Sequence, residues 1–367
     1  MGEKLELYTN EKSFGDLVED VIDIFHSKRT PIVWGIPGIG KSALAKYVAD
    51  RMGCDFKCLD APLLQPFDYA VAVPNHDKKE IELYRTGFIP EKGPCVVAIE
   101  DLPHAKPYQQ TPIMQIALDH RIGPLKFADD VYFIASGNRE EDLAFTQPLS
   151  SPLKNRFFHL YLKPDPEEWA YKFARPNNLD ERVIGFALSN STFFAQRPKE
   201  DGNSWSTPRT LHMFSDVIKN ITGTSEHDES RIRSLGIGSI GPEATKFFME
   251  WMKYLRHIDP RDVVINGNMP KMSRDDRSQM FAVVLSIGSY IASLDEPELI
   301  KHGKNILSFT DIIPSDYTVL FAHQFVEYDK RGTKNIDKLE TLQKIPGSNK
   351  LFRTLTETLL DKKTNRN

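Results

Sequence analysis

The chain has 367 residues, 40% hydrophobic and 27% charged, with a net charge of −4 and a pI of about 6.2, an ordinary globular balance without a general DNA-binding footprint, although a local basic patch stays open. No apolar run reaches the roughly 20 residues of a membrane-spanning helix, Met1-Gly2-Glu3-Lys4-Leu5 lacks an apolar signal core, and Glu6 stands where myristoylation wants Ser or Thr. Cys54, Cys58 and Cys95 do not have the spacing of a zinc site, so a cytoplasmic protein with reduced thiols is expected.

In chain order, Leu17, Val18, Val21, Ile22 and Phe25 have helical spacing over Phe14–Phe25. Pro31–Trp34 is a short apolar run ended by glycine, predicted as a buried strand. Lys41–Met52 follows as a helix with Leu44, Tyr47 and Val48 on one face. Strands are predicted over Phe56–Leu59, Cys95–Ile99, Val131–Ser136 and Phe157–Leu162, with a helix over Gln109–Leu118. Continuous apolar strands alternating with helices indicate a parallel sheet in an α/β domain. Beyond Pro164-Asp165-Pro166 the pattern becomes helical, over Glu167–Phe173, Arg182–Leu188, Thr210–Ile218, Glu243–Leu255 and Met280–Ala292. The polar stretches Val217–Ser234 and Asn266–Asp276 read as loops, the basic cluster Lys271, Arg274 and Arg277 as solvated, and Asp361–Asn367 as a frayed end.

The segment Gly35-Ile36-Pro37-Gly38-Ile39-Gly40-Lys41-Ser42 fits the phosphate-binding pattern GxxxxGK[ST] between a strand and a helix. Glycines let the backbone turn its N–H groups toward phosphate oxygens, and the helix adds the positive end of its dipole. Lys41 is expected at the β- and γ-phosphates and Ser42 on Mg²⁺. Glu100 and Asp101 follow the strand Cys95–Ile99, where such enzymes keep acids that hold the Mg²⁺ shell and polarise the attacking water. Asn138 follows another strand; it either bonds the attacking water or γ-phosphate, or makes a turn. Arg156 and Arg209 each suit either a phosphoryl transition state or a surface salt bridge.

The order of these motifs is distinctive: Glu100-Asp101-Leu102-Pro103-His104-Ala105, Gln115–Gly123, Ser136-Gly137-Asn138-Arg139-Glu140, Leu153-Lys154-Asn155-Arg156-Phe157 and Thr207-Pro208-Arg209. Over Phe14–Asp216 the chain resembles the MoxR-type AAA+ ATPases. The resemblance implies an α/β P-loop core with a central parallel sheet over 1–163, an all-helical lid over 164–260 and a helical tail over 261–367. It implies ATP and Mg²⁺ as cofactors, with Gly35 to Ala43 as the Walker A segment around Lys41 and Ser42. Glu100 and Asp101 match Walker B, Asn138 sensor 1, Arg156 the arginine finger acting on the next subunit, and Arg209 the sensor 2 arginine. Tyr69–Tyr84, turning at Pro74-Asn75-His76-Asp77, and Arg121–Leu125 match the family's hairpin insertions. The family forms hexameric rings, commonly partners a von Willebrand factor A-domain protein and remodels a target.

One departure stands out. The family usually ends Walker B with Asp then Glu, whereas here the catalytic position holds the shorter Asp101. A displacement of ~1 Å in a reacting group costs on the order of a hundredfold in rate. The expected function is therefore an ATP-binding, slowly hydrolysing remodeller whose client the sequence does not name. The rivals are an ATP switch or scaffold with little hydrolysis, and a nucleic-acid-stimulated translocase, against which the mildly acidic pI argues.

Overall fold

Among the described residues, β-structure before residue 165 comprises β1 (Glu11–Lys12), β2 (Pro31–Trp34), β3 (Asp55–Asp60), β4 (Ala70–Asn75), β5 (Glu80–Arg85), β6 (Cys95–Glu100), β7 (Arg121–Ile122), β8 (Leu125–Lys126), β9 (Val131–Gly137) and β10 (Phe158–Leu162). The computed structural model describes residues 11–139, 149–199, 202–223, 225–256, 258–270, 276–325, 327–328, 334–335, 337–348 and 351–352. The N-terminal segment with Gly2 and Glu6, Glu140 of the Asn138 motif, Lys271 and Arg274 of the basic cluster, and the end 361–367 lie outside them. The chain divides into two units. The first runs to Asp165 and takes in Arg197–Asp201 and Thr207–Arg209; the second holds Pro166–Gln196, Gly202–Ser206 and everything from Thr210.

In the first unit six strands form one all-parallel sheet in the order β1-β10-β2-β9-β6-β3. The inner strands of a parallel sheet are covered on both faces and so read as apolar runs; Ile32, Val33, Val96, Val97 and Val131 of β2, β6 and β9 are fully buried, whereas the edge strand β3, Asp55–Asp60, is largely exposed. The predicted strands of this sheet are found with ends shifted by at most one residue, and β1 is an addition. The helix Phe14–His26 starts where Ser13 accepts the Asp16 N–H, and buries Leu17, Val18, Val21 and Phe25. The helix Lys41–Met52 buries Leu44, Ala45, Val48 and Ala49, and stops at Gly53, whose left-handed backbone (φ 68°) is a common helix terminator. From β2 the chain crosses to the far edge at β3, steps back through β6 and β9, then passes β2 to reach β10. The reversal at β2 opens a crevice beyond the carboxyl ends of the strands, where open α/β sheets bind ligands.

Both predicted hairpins form, β4 with β5 and β7 with β8. In the first, the turn falls at 76–79 instead of Pro74–Asp77, and Pro74 pairs with Ile81 inside the strand. The cause is Asn75, whose side-chain oxygen accepts the N–H groups of Asp77 and Lys78 and so starts the turn two residues later.

Among its described residues the second unit is helical, with one short antiparallel pair, β11 (Glu327–Tyr328) and β12 (Lys334–Asn335), that the sequence pattern did not reveal. Its core joins residues from Ala170 to Leu351, with Phe248 edge-on to Phe186 and Phe214 at 5.4 and 5.0 Å. Within Val217–Ser234 the expected loop is found at 219–223, around Gly223, but the second half belongs to a helix, Glu226–Ser239, capped by Ser225 and carrying Glu226, Asp228 and Glu229 in its first turn. Only Ile232 and Gly236 of it are buried, so it lacks the apolar stripe by which helices are read from sequence. The expected helix Glu167–Phe173 divides into an α-helical turn, Pro166–Trp169, and a π-helical turn, Ala170–Ala174. Of Asn266–Asp276, residues 267–270 have no regular structure, and 271–275 are outside the described residues.

Gly185, inside the helix Glu181–Ser189, faces the ring of Trp251: an added Cβ would lie 2.8 Å from Trp251 Cζ2 and 3.0 Å from Leu285 Cδ1. Alanine in place of a helical glycine normally gains ~1 kcal/mol, but overpacking a tight core costs about 1–3 kcal/mol. Trp251 is buried and tied through its Nε1–H to Arg182 O at 3.1 Å, so it has no room to yield. Gly185→Ala should therefore lower the urea midpoint of unfolding; a raised midpoint would contradict this packing.

Candidate active site

Beyond Trp34 the chain turns through Gly35–Gly40 into the helix Lys41–Met52. Gly38 (φ 79°) and Gly40 (φ 115°) are in the left-handed region that side chains avoid. Gly38 is constrained twice: a Cβ there would lie 2.7 Å from Thr207 Oγ1, and its carbonyl accepts the Arg209 N–H at 3.1 Å. The motif Thr207-Pro208-Arg209 is thus brought against the glycine-rich loop, with the Arg209 side chain exposed. Gly40, as N-cap, offers no side chain to the first N–H groups of the helix, which leaves them for an anion.

Lys41 is buried at 8% exposure. Its ammonium donates to Asn138 Oδ1 at 2.7 Å, Gly35 O at 2.8 Å and Ile36 O at 3.1 Å. Ser42 Oγ donates to Glu100 Oε2 at 2.7 Å, and Ser136 Oγ donates to the same oxygen at 2.9 Å. The other oxygen, Glu100 Oε1, is buried without a hydrogen-bond partner. Four residues singled out from sequence, Lys41, Ser42, Glu100 and Asn138, therefore meet at the carboxyl ends of β2, β6 and β9.

Asp101 is the first residue past β6 and takes a left-handed backbone (φ 52°), which Asp tolerates better than most residues. Its N–H donates to Ser136 Oγ at 3.4 Å, while its carboxylate is half exposed and 3.9 Å from His104 Nδ1. Asp60 ends β3 opposite Glu100. Partial burial and then the charge of Asp101 push its carboxyl up, against a smaller pull from His104. The Cys58 thiol is pushed up to about 11, first by partial burial and then by Glu100, Asp60 and Asp101. This edge of the sheet is a concentrated negative field, suited to a cation.

Its donors suit Mg²⁺ in particular. Ser42 and Glu100 are hard oxygen donors, and the orphaned Glu100 Oε1 is a buried acceptor that awaits a partner. No group of three or more His, Cys, Asp or Glu side chains able to hold a metal occurs among the described residues. A site that offers one or two protein ligands and leaves the rest to phosphate and water is what Mg²⁺ commonly uses.

Arg156 is not at this edge. It precedes β10, whose Phe158 pairs with Pro31 at the start of β2, so it lies at the amino end of the sheet. The strand β2 separates it from the loop by about 13 Å along the strand direction. Arg156 Nη1 donates to Pro152 O at 3.0 Å, and its Nε is buried without a hydrogen-bond partner. Near the same strands, Trp34 Nε1–H donates to His159 Nδ1 at 2.9 Å, with the two rings stacked at 5.8 Å.

The sequence reading missed Ser136 and Asp60. A small polar side chain in the otherwise apolar end of the run Val131–Gly137 was a signal for Ser136. Asp60 had none, because only the register of β3 on β6 puts it beside Glu100.

Residues 31–164 match the family model described as ATPase family associated with various cellular activities (AAA). No curated protein matches the chain. Among solved structures, a protein of Cytophaga hutchinsonii described as an ATPase is 15% identical, covering 95% of this chain and 90% of its own, at a TM-score of 0.34. A proline-to-glycine variant of Thermotoga maritima RuvB is 15% identical, with 92% and 99% covered, at a TM-score of 0.38. RuvB of the same organism, described as a Holliday junction branch migration motor, is 14% identical, with 90% and 94% covered, at 0.33. At TM-scores this low, the likenesses say nothing of what the present chain acts on. The glycine-rich loop, the buried lysine and the acidic strand end, all set on a parallel sheet, lie within the residues 31–164 that match this family model.

Proposed function

We propose that this chain is an ATP-hydrolysing AAA+ protein of MoxR type, which assembles into a hexameric ring and remodels a partner protein. The observation that carries the reading is the convergence of Lys41, Asn138, Ser42 and Glu100 beyond the carboxyl end of β2. The helical region 164–260 serves as a lid and 261–367 as a tail. A von Willebrand factor A-domain protein is the partner class the resemblance suggests.

ATP supplies the γ-phosphoryl group that is transferred to water. The loop Gly35–Ala43 cradles its phosphates, and Lys41 exchanges its carbonyl acceptors for phosphate oxygens. Asn138, now on the lysine, is placed to orient the attacking water. Ser42 and Glu100 would hold Mg²⁺ and its waters, and Asp101 would accept the proton of the water. Arg209, anchored through its N–H to Gly38 O, would reach the γ-phosphate. Arg156, at the opposite edge of its own sheet, serves the site of the next subunit. An ATP switch with little hydrolysis is the second reading, and the short, half-exposed Asp101 carboxylate favours it.

Three measurements test this. Lys41→Ala should weaken ATP binding about 10- to 100-fold, the worth of charge-assisted hydrogen bonds; unchanged affinity in a titration would remove the nucleotide site. Arg156→Ala should bind ATP normally yet turn over slowly, and mixing it with Lys41→Ala subunits should recover part of the activity. No recovery at any ratio, with mixed rings shown to form, would exclude a role across subunits. The double change Glu100→Asp, Asp101→Glu should raise ATP turnover at saturating Mg²⁺ above wild type and above either single change, because the longer side chain reaches the water. A lower rate would mean that the pocket is adapted to the present order, and that the short acid is not what limits hydrolysis.

A further inference from the structure

Ser136 is 5% exposed and is the only hydroxyl-bearing side chain of β9 apart from Tyr132. A buried hydroxyl that only satisfied itself would bond a nearby carbonyl, as Thr30 does with Ala117 O at 3.1 Å. Ser136 instead makes both of its hydrogen bonds to the acidic pair. It donates to Glu100 Oε2 at 2.9 Å and accepts the Asp101 N–H at 3.4 Å.

The length of Glu100 gives these bonds their meaning. A glutamate has one more rotatable bond than the aspartate usual at this position, so its carboxylate has more ways to point. Two donors, Ser42 and Ser136, converge on the one oxygen Oε2 and remove that freedom. What remains is Oε1, buried and without a hydrogen-bond partner. Meanwhile the bond to Asp101 N–H holds the left-handed backbone (φ 52°) that carries the second acid.

We propose that Ser136 is a positioning residue that adapts this site to a glutamate on the Mg²⁺ side: it fixes Glu100 Oε2, leaves Oε1 for the hydrated cation, and holds the backbone of Asp101. This rests on the nucleotide-site reading above and adds to it a role for a residue to which that reading gives none.

The test is a titration with a fluorescent ATP analogue, in EDTA and across a Mg²⁺ series, on wild type, Ser136→Ala and Ser136→Thr. Thermal unfolding of each variant is followed in parallel. Ser136→Ala should keep its affinity in EDTA, whereas the Mg²⁺ needed for half its effect should rise about tenfold or more, as for other groups that orient a metal ligand. Ser136→Thr keeps the hydroxyl, suits a strand, and should restore the wild-type requirement. In a Glu100→Asp background the shorter carboxylate no longer spans to Ser136, so adding Ser136→Ala should shift the Mg²⁺ requirement far less. Equal weakening with and without Mg²⁺, no restoration by Thr, or fully additive effects would each overturn the proposal while leaving the nucleotide site intact. A wild type that binds no nucleotide under either condition would overturn the site reading and this proposal with it.

Discussion

Lys41 carries its ammonium into a place where only 8% of the residue meets solvent. A buried charge is tolerated only where acceptors replace the water it gave up. Two acceptors, Gly35 O and Ile36 O, come from the bend that the chain makes on leaving β2; the third, Asn138 Oδ1, comes from the end of β9. They meet because the two strands are parallel neighbours in a register that pairs Trp34 with Gly137. Gly137 can be nothing larger: a Cβ there would lie 2.7 Å from Pro103 Cγ and 2.9 Å from Trp34 Cζ3. The strand order, the glycine before Asn138 and the proline after the acidic pair are all conditions for housing one charge.

This dependence explains what could be read from the sequence. The strands of the sheet and the helix after the loop were legible because their apolar runs and periodicity are local. The loop was legible because its glycines, lysine and serine are consecutive. Ser136 and Asp60 were not, since each acquires its neighbour through strand pairing over 35 to 40 residues of chain. The helix Glu226–Ser239 was missed for a different reason. It keeps only Ile232 and Gly236 buried, so its capping serine and acidic first turn are its main signals, and they resemble those of a polar loop. The β4–β5 hairpin turns two residues past the expected start because Asn75 and not Pro74 initiates the turn.

The sheet has two chemically distinct edges. Its carboxyl edge gathers Lys41, Ser42, Glu100, Asp101 and Asn138, and adds Asp60 at the end of β3. The amino edge holds Arg156, whose Nε is buried without a hydrogen-bond partner. A guanidinium on the far side of its own sheet is badly sited for a ligand held beyond the carboxyl ends of the same strands. The same parallel arrangement that builds the acidic edge thus separates the arginine from it.

Trp34 closes β2 immediately before the glycine-rich loop, stacked on His159. Both imidazole nitrogens are engaged: Nδ1 with the indole N–H, and Nε2 with Lys154 O at 2.8 Å. The bonds fit a neutral ring that accepts through Nδ1 and donates through Nε2, a tautomer assigned from its partners. The indole also closes the space above Gly137, next to Asn138. Of the four tryptophans in the chain, this one touches the strand ends that grip Lys41, so its emission reports on the backbone of the loop from inside the fold.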